Sequence, residues 1–234
     1  MAAKLKSILR RIHWSLVLKA AVFALAWLWL PFPLFFLVAL YLYFVPPFQS
    51  GKLAFPFFVL LVLAYVQPPT PFFAVVFGAA LYVIFLIKDL LVIDRRSLYE
   101  LLVLVLSFLL LRALYVRFDE GAQGVALWYA FLVAAAIVLL LRSLVRASGG
   151  MASREEPVAL FLSFVLLVQA IIVGLFLPLD FIAQSLLVFL IAFFLVDTVP
   201  EHLAGGISRK KILVTAMVLF ALLTIVVGSA QWGL

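Results

Sequence analysis

The chain predicts an all-α fold: a polytopic helical membrane bundle with its N-terminus in the cytoplasm. Three observations carry that prediction. The composition is 69% apolar and only 12% charged, with a mean hydropathy of +1.35, whereas a soluble domain is about half apolar and about a quarter charged. Apolar runs recur from residue 14 to the C-terminus, and one span needs roughly 20 such residues. The runs are broken by proline clusters and charged knots, and neither half has the composition an extramembrane domain would need. Residues 1–234 therefore read as a single integral membrane domain, with residues 1–13 as a basic lead-in.

Taken in order, helices are expected at 12–30, 33–47, 53–67, 72–93, 97–117, 122–145, 157–178, 180–199 and 209–231. The first follows "KLKSILRRIHW", where Leu5, Ile8, Leu9 and Ile12 share one helical face and the bases take the other. Such a segment lies on an anionic leaflet before the chain turns into the bilayer, with His13 among the headgroups. Ala24-Leu25-Ala26 resembles a signal-peptide cleavage triplet. Lys19 interrupts the apolar core and "WLWL" extends the run past the triplet, so an uncleaved anchor is expected.

The second and third helices are short, boxed in by Pro31, Pro33, Pro46, Pro47, Pro68, Pro69 and Pro71. Proline removes a backbone donor and discourages helix in the residue before it. Two readings follow: about nine spans, or seven spans plus a proline-framed hairpin that enters and returns on one side. Both place the C-terminal helices the same way round.

Orientation follows from charge. With the N-terminus inside, all but Arg112 and Arg117 of the 17 basic residues fall on the cytoplasmic side, while Asp119, Glu120 and Asp180 are the acids left outside. That asymmetry is the positive-inside pattern. It assigns the +7 net charge to membrane orientation and anionic lipids, not to nucleic acid, and places the chain in the plasma (cytoplasmic) membrane. Trp14 and Tyr99 at inner ends, and Trp27, Trp29, Tyr115 and Trp232 at outer ends, read as interfacial anchors. A cysteine placed at Gln49 or Ser148 should label from the cytoplasm, and one at Gly121 from outside.

Charge is densest in "IKDLLVIDRRSLYE", residues 87–100. Ser97 and Glu100 have capping-box spacing, Asp94, Arg95 and Arg96 form the turn, and Lys88 can snorkel to the interface. Asp89 is too short to snorkel and is expected to meet a base on another helix or a polar cleft. "SREE" (Ser153–Glu156) and "TVPE" (Thr198–Glu201) also fit capping boxes, and Asp180 fits an N-cap. "VDTVPEHLAGGISRKK" reads as an irregular, solvated loop that could aim Asp197, Glu201 and His202 at one site. Together with Asp89, Asp94, Arg95 and Arg96 these form the candidate cytoplasmic polar cluster. No metal-ligand spacing such as H-E-x-x-H and no cofactor motif is present, so neither metal nor cofactor is expected. The absence of cysteine removes disulfides and thiol chemistry.

At mid-depth the spans offer only Ser107, Ser163, Gln169, Thr215 and Thr224, and no ionisable group. Ion-coupled carriers usually keep such groups. Ser107 and Gln169 are the candidate mid-membrane polar residues, with Gln169 expected to tie its helix to a neighbour. Ala122, Ala126, Ala130 and Ala134 form a smooth stripe, and Ala20/Ala24, Ala74/Gly78 and Ala170/Gly174 repeat the small-xxx-small pattern of close helix contact. The stripe fits an internal contact or the seat of a membrane partner or second copy.

These readings point to a non-enzymatic carrier, or a membrane subunit of a larger complex, with an apolar or amphipathic ligand. The rival is a membrane-embedded enzyme acting on a lipid or lipid-linked substrate at the cytoplasmic face, where carboxylates would hold Mg²⁺ and arginines a phosphate.

Overall fold

The computed structural model describes residues 14–45, 50–88, 95–119, 126–147, 155–206 and 208–228. Among them are nine helices: α1 Trp14–Trp29, α2 Phe32–Phe44, α3 Ser50–Val66, α4 Pro71–Lys88, α5 Arg95–Asp119, α6 Ala126–Ala147, α7 Glu156–Phe176, α8 Phe181–Leu203 and α9 Arg209–Gly228. The described residues contain no strand. In lipid every backbone polar group must be satisfied within the chain, and the helix does this locally. α4 to α9 are each long and apolar enough to cross a membrane, while α1, α2 and α3 are shorter apolar helices. The protein is a helical membrane bundle.

Local chemistry sets the boundaries. Pro31 is extended at the start of α2 and Pro33 sits in its first turn, where the missing N–H would have had no helical partner. Thr70 Oγ1 accepts from Phe73 N ahead of α4, with Pro71 as its first residue. Asp180 caps α8, its side chain accepting from Ala183 N at 3.0 Å, as its position after Pro178 predicts. α3 begins at Ser50, three residues before the expected start, so Pro56 lies beyond its first turn instead of within it. The segment 1–13, with His13, lies outside the described residues.

The chain divides into two compact units, 1–95 and 96–234. Unit one is a ring of four antiparallel helices in which α1 packs on α2 and α4, and α3 on α2 and α4. Its core is aromatic. Phe23 meets Phe35, Trp27 meets Phe77 edge-on at 4.9 Å, and Tyr43 stacks on Phe57 at 4.1 Å. The small-residue pairs of α1 and α4 face each other: a Cβ built on Gly78 would lie 3.3 Å from both Ala20 O and Ala24 Cβ. The missing side chain lets the two backbones approach, which is how helices gain contact in lipid.

Trp27 is not an interfacial anchor. Its ring is buried and its indole N–H donates to Ala64 O at 2.8 Å. Tyr99 and Tyr115 are buried as well, whereas Trp14 and Trp29 are exposed as a lipid-interface belt requires.

Unit two packs α7 on α6 and α8, with α8 also against α6 and α9. α5 joins through side chains. Tyr115 Oη donates to Ile171 O at 3.0 Å, and Phe108 meets Phe189 edge-on. Gly174 makes room for that tyrosine: a Cβ there would collide with Tyr115 Oη and touch Val188. Ala130 and Ala134 are fully buried in α6. Ala122 lies outside the described residues, as does the side chain of Ala126.

Candidate functional site

The ion pairs described in unit two gather at the end where α7 begins and α8 finishes. α8 continues through Pro200 to Leu203 rather than dissolving into a loop after Val199. Thr198 is therefore not a cap; its hydroxyl donates back to Phe194 O inside the helix. The helix ends in a paired C-terminal motif: Gly205 N donates to His202 O and Gly206 N to Glu201 O, with Gly205 at φ 71°. Glycine takes that left-handed conformation at little cost, which reverses the chain. Ser208 then opens α9, its Oγ accepting from Lys211 N at 3.2 Å.

That reversal delivers Lys211 to the acids of α8. Asp197 and Glu201 are four residues apart on one helical face. Lys211 Nζ lies 2.6 Å from Glu201 Oε1 and 3.3 Å from Asp197 Oδ1. Arg96, in the first turn of α5, reaches the same Glu201 oxygen at 3.7 Å and holds Glu100 Oε1 at 2.7 Å. The result is a five-residue ionic network joining α5, α8 and α9.

Of the candidate cytoplasmic cluster, the structure thus brings together Arg96, Asp197 and Glu201. Asp89, Asp94 and the side chain of Arg95 lie outside the described residues. His202 diverges from the network because neighbouring helix positions are about 100° apart. Glu100 and Lys211 complete the network, and sequence spacing hid both roles. α5 starts at Arg95, so Ser97 lies within its first turn and Glu100 binds Arg96 one turn back instead of reaching an N-terminal N–H. Lys211 needed the chain reversal. Among the described residues no group of three or more His, Asp or Glu side chains is placed to hold a metal ion.

A second feature lies on the other face of α8. A groove of about 440 Å³ runs between α7 and α8, walled by Val158, Ala159, Leu162, Ser163 and Leu166 on one side and Leu195 and Val199 on the other. Glu155 and His202 stand at its mouth. His202 Nε2 is 3.9 Å from Glu155 Oε2, and both side chains are exposed. Ser163 adds no free polarity, since its hydroxyl donates to Ala159 O at 2.8 Å. Nearby, Glu156 takes Arg142 at 3.4 Å and Arg146 at 3.9 Å. Ser153 lies outside the described residues, and α7 has no side-chain cap hydrogen bond at Glu155.

The mid-membrane candidates part company. Gln169 is on the exposed surface of α7, so it is not the buried tie its amide suggested. Ser107 is fully buried in α5, and its hydroxyl has no hydrogen-bond partner among the described residues. Lys88 departs furthest from expectation. It does not snorkel: it is 3% exposed, with its ammonium donating to Tyr43 O and lying 4.8 Å from the centre of the Tyr43 ring. Lys19 reaches the same end of α2 from α1, donating to Val45 O at 3.4 Å. Helix C-terminal carbonyls carry partial negative charge, so the two lysines find electrostatic partners there.

No protein-family model matches this chain, and neither a curated protein nor a solved structure is significantly similar to it.

Proposed function

We propose that this chain is a non-enzymatic membrane protein of the cytoplasmic membrane, a carrier or the membrane subunit of a complex, acting on an apolar or amphipathic ligand. The groove between α7 and α8 is the observation that carries this reading. Its walls are aliphatic and its titratable groups stand only at the mouth, which is the polarity profile of an amphiphile. The positive-inside pattern puts that mouth, and the ionic network, at the cytoplasmic face, where the surrounding bases favour anionic lipids. α9 supports the subunit version, because no residue of its span is buried and its exposed face of Leu213, Met217 and Phe220 is free to meet another membrane helix.

Native mass spectrometry of the purified protein tests the ligand: a retained amphiphile, lost when Leu162→Trp fills the groove, is the expected result. Cross-linking in membranes tests the subunit version. A stable monomer with no reproducible cross-linked neighbour would leave the carrier alone.

The enzymatic reading draws on the meeting of Arg96, Asp197 and Glu201 at one face. Against it, both carboxylates lie on Lys211, whose charge competes with a bound Mg²⁺. If Asp89→Asn and Asp197→Asn both still complement a deletion strain, the enzymatic reading fails.

A further inference from the structure

We infer that the α7–α8 groove holds one acyl chain of an amine-headed phospholipid from the cytoplasmic leaflet, with the ammonium on Glu155 and the phosphate on His202. This rests on the amphipathic-ligand reading above and names the ligand's class.

Depth is the first argument. From Glu155, the residue before α7, to Leu166 the groove follows the helix for 11 residue steps, roughly 16 Å at the helical rise. That is about half of a hydrocarbon core roughly 30 Å thick. A partner helix crossing the membrane would need a seat of full thickness. A chain anchored in one leaflet needs only half.

Charge complementarity is the second. Among the described residues the mouth offers one carboxylate, at the start of α7, and one imidazole, on α8, 3.9 Å apart and therefore beyond hydrogen-bond distance. Both are well exposed, so their mutual attraction is weak. A zwitterionic headgroup replaces that loose contact with two matched ones: N–H to Glu155, and imidazole N–H to phosphate. A purely anionic headgroup would set its charge against Glu155. The neighbouring Arg142 and Arg146 are already directed at Glu156.

The test reconstitutes the full-length protein in phosphatidylcholine vesicles doped with a tail-diazirine probe bearing an ethanolamine, glycerol or choline headgroup. After irradiation, labelled peptides are mapped. The ethanolamine probe should label α7 between Val158 and Leu166, roughly fivefold above the glycerol probe, as expected for one exposed ion pair. Glu155→Gln should remove that preference while tail labelling persists. Leu162→Trp, at a lipid-exposed position that tolerates a larger side chain, should abolish groove labelling by every probe and leave labelling near Phe220 on α9 intact. Equal labelling by all three probes would overturn the amine assignment and leave the amphipathic-ligand reading standing. Labelling near Phe220 with none in the groove would overturn both. If the probe enters the groove after reconstitution but in native membranes Leu162 cross-links to a protein instead, the occupant is a partner helix and the inference fails.

Discussion

Among the described residues, two lysines of unit one lie against backbone carbonyls and aromatic rings, whereas four cationic side chains of unit two lie against carboxylates. In unit one Lys19 and Lys88 turn to the carbonyls that end α2, with Phe85 and Tyr43 rings beside them. Its only acids, Asp89 and Asp94, lie outside the described residues. In unit two Arg96, Arg142, Arg146 and Lys211 each meet a carboxylate. The cores differ in step. Unit one has more than half of the chain's aromatic residues in well under half its length, and unit two is mainly aliphatic. A buried lysine needs a low-cost electrostatic partner that comes with packing, and aromatic faces and helix ends supply one. Partly exposed charges at a membrane surface can use ordinary ion pairs, each worth little.

The comparison can be broken, starting with the packing both units share. Gly78→Leu forces a side chain against the α1 backbone at Ala20 and should destabilise unit one by about 3 kcal/mol, read as unfolding in detergent. Gly174→Ala should cost unit two about 2 kcal/mol by displacing Tyr115. Adding Tyr115→Phe should recover part of that loss, because the hydroxyl is the colliding atom. No recovery would mean that the hydroxyl is not the obstacle.

The charged contacts separate the units more sharply. Lys88→Met should cost about 1.5 kcal/mol, and the loss should be the same in low and high salt because the ammonium is buried. Lys211→Met should cost only about 0.5 kcal/mol, and high salt should erase the difference from the parent protein. Equal salt sensitivity at the two lysines would remove the distinction between units. Smallest of all, Gln169→Leu should change stability by less than about 0.5 kcal/mol, since the side chain faces outward.

Much of the fold was legible because apolar run length, proline and charge act locally. Each of the nine helices falls within a few residues of its expected place, and Asp180 caps α8 as its position predicts. The pairing of Ala20/Ala24 with Gly78 followed a local pattern too, although only packing could show that these two stripes face each other. The errors share a cause. Ser97/Glu100 and Thr198/Glu201 have capping-box spacing, but that spacing marks a cap only where the helix begins. α5 begins earlier, at Arg95, and α8 runs through Thr198 to Leu203. Tyr115 and Trp27 fit an interfacial belt by position, yet their polar atoms find buried carbonyls on other helices.

By itself the sequence determined that this is a helical membrane protein, where its helices lie, and which end of each carries the positive charge, because these depend on composition and on near neighbours along the chain. The tertiary structure alone decided that Lys88 is buried, that Lys211 closes on Asp197 and Glu201, and that α7 and α8 leave a groove with Glu155 and His202 at its mouth. Each of those depends on which helix faces sit opposite one another across tens of residues, and in lipid the apolar faces of these helices are too alike for composition to choose among them.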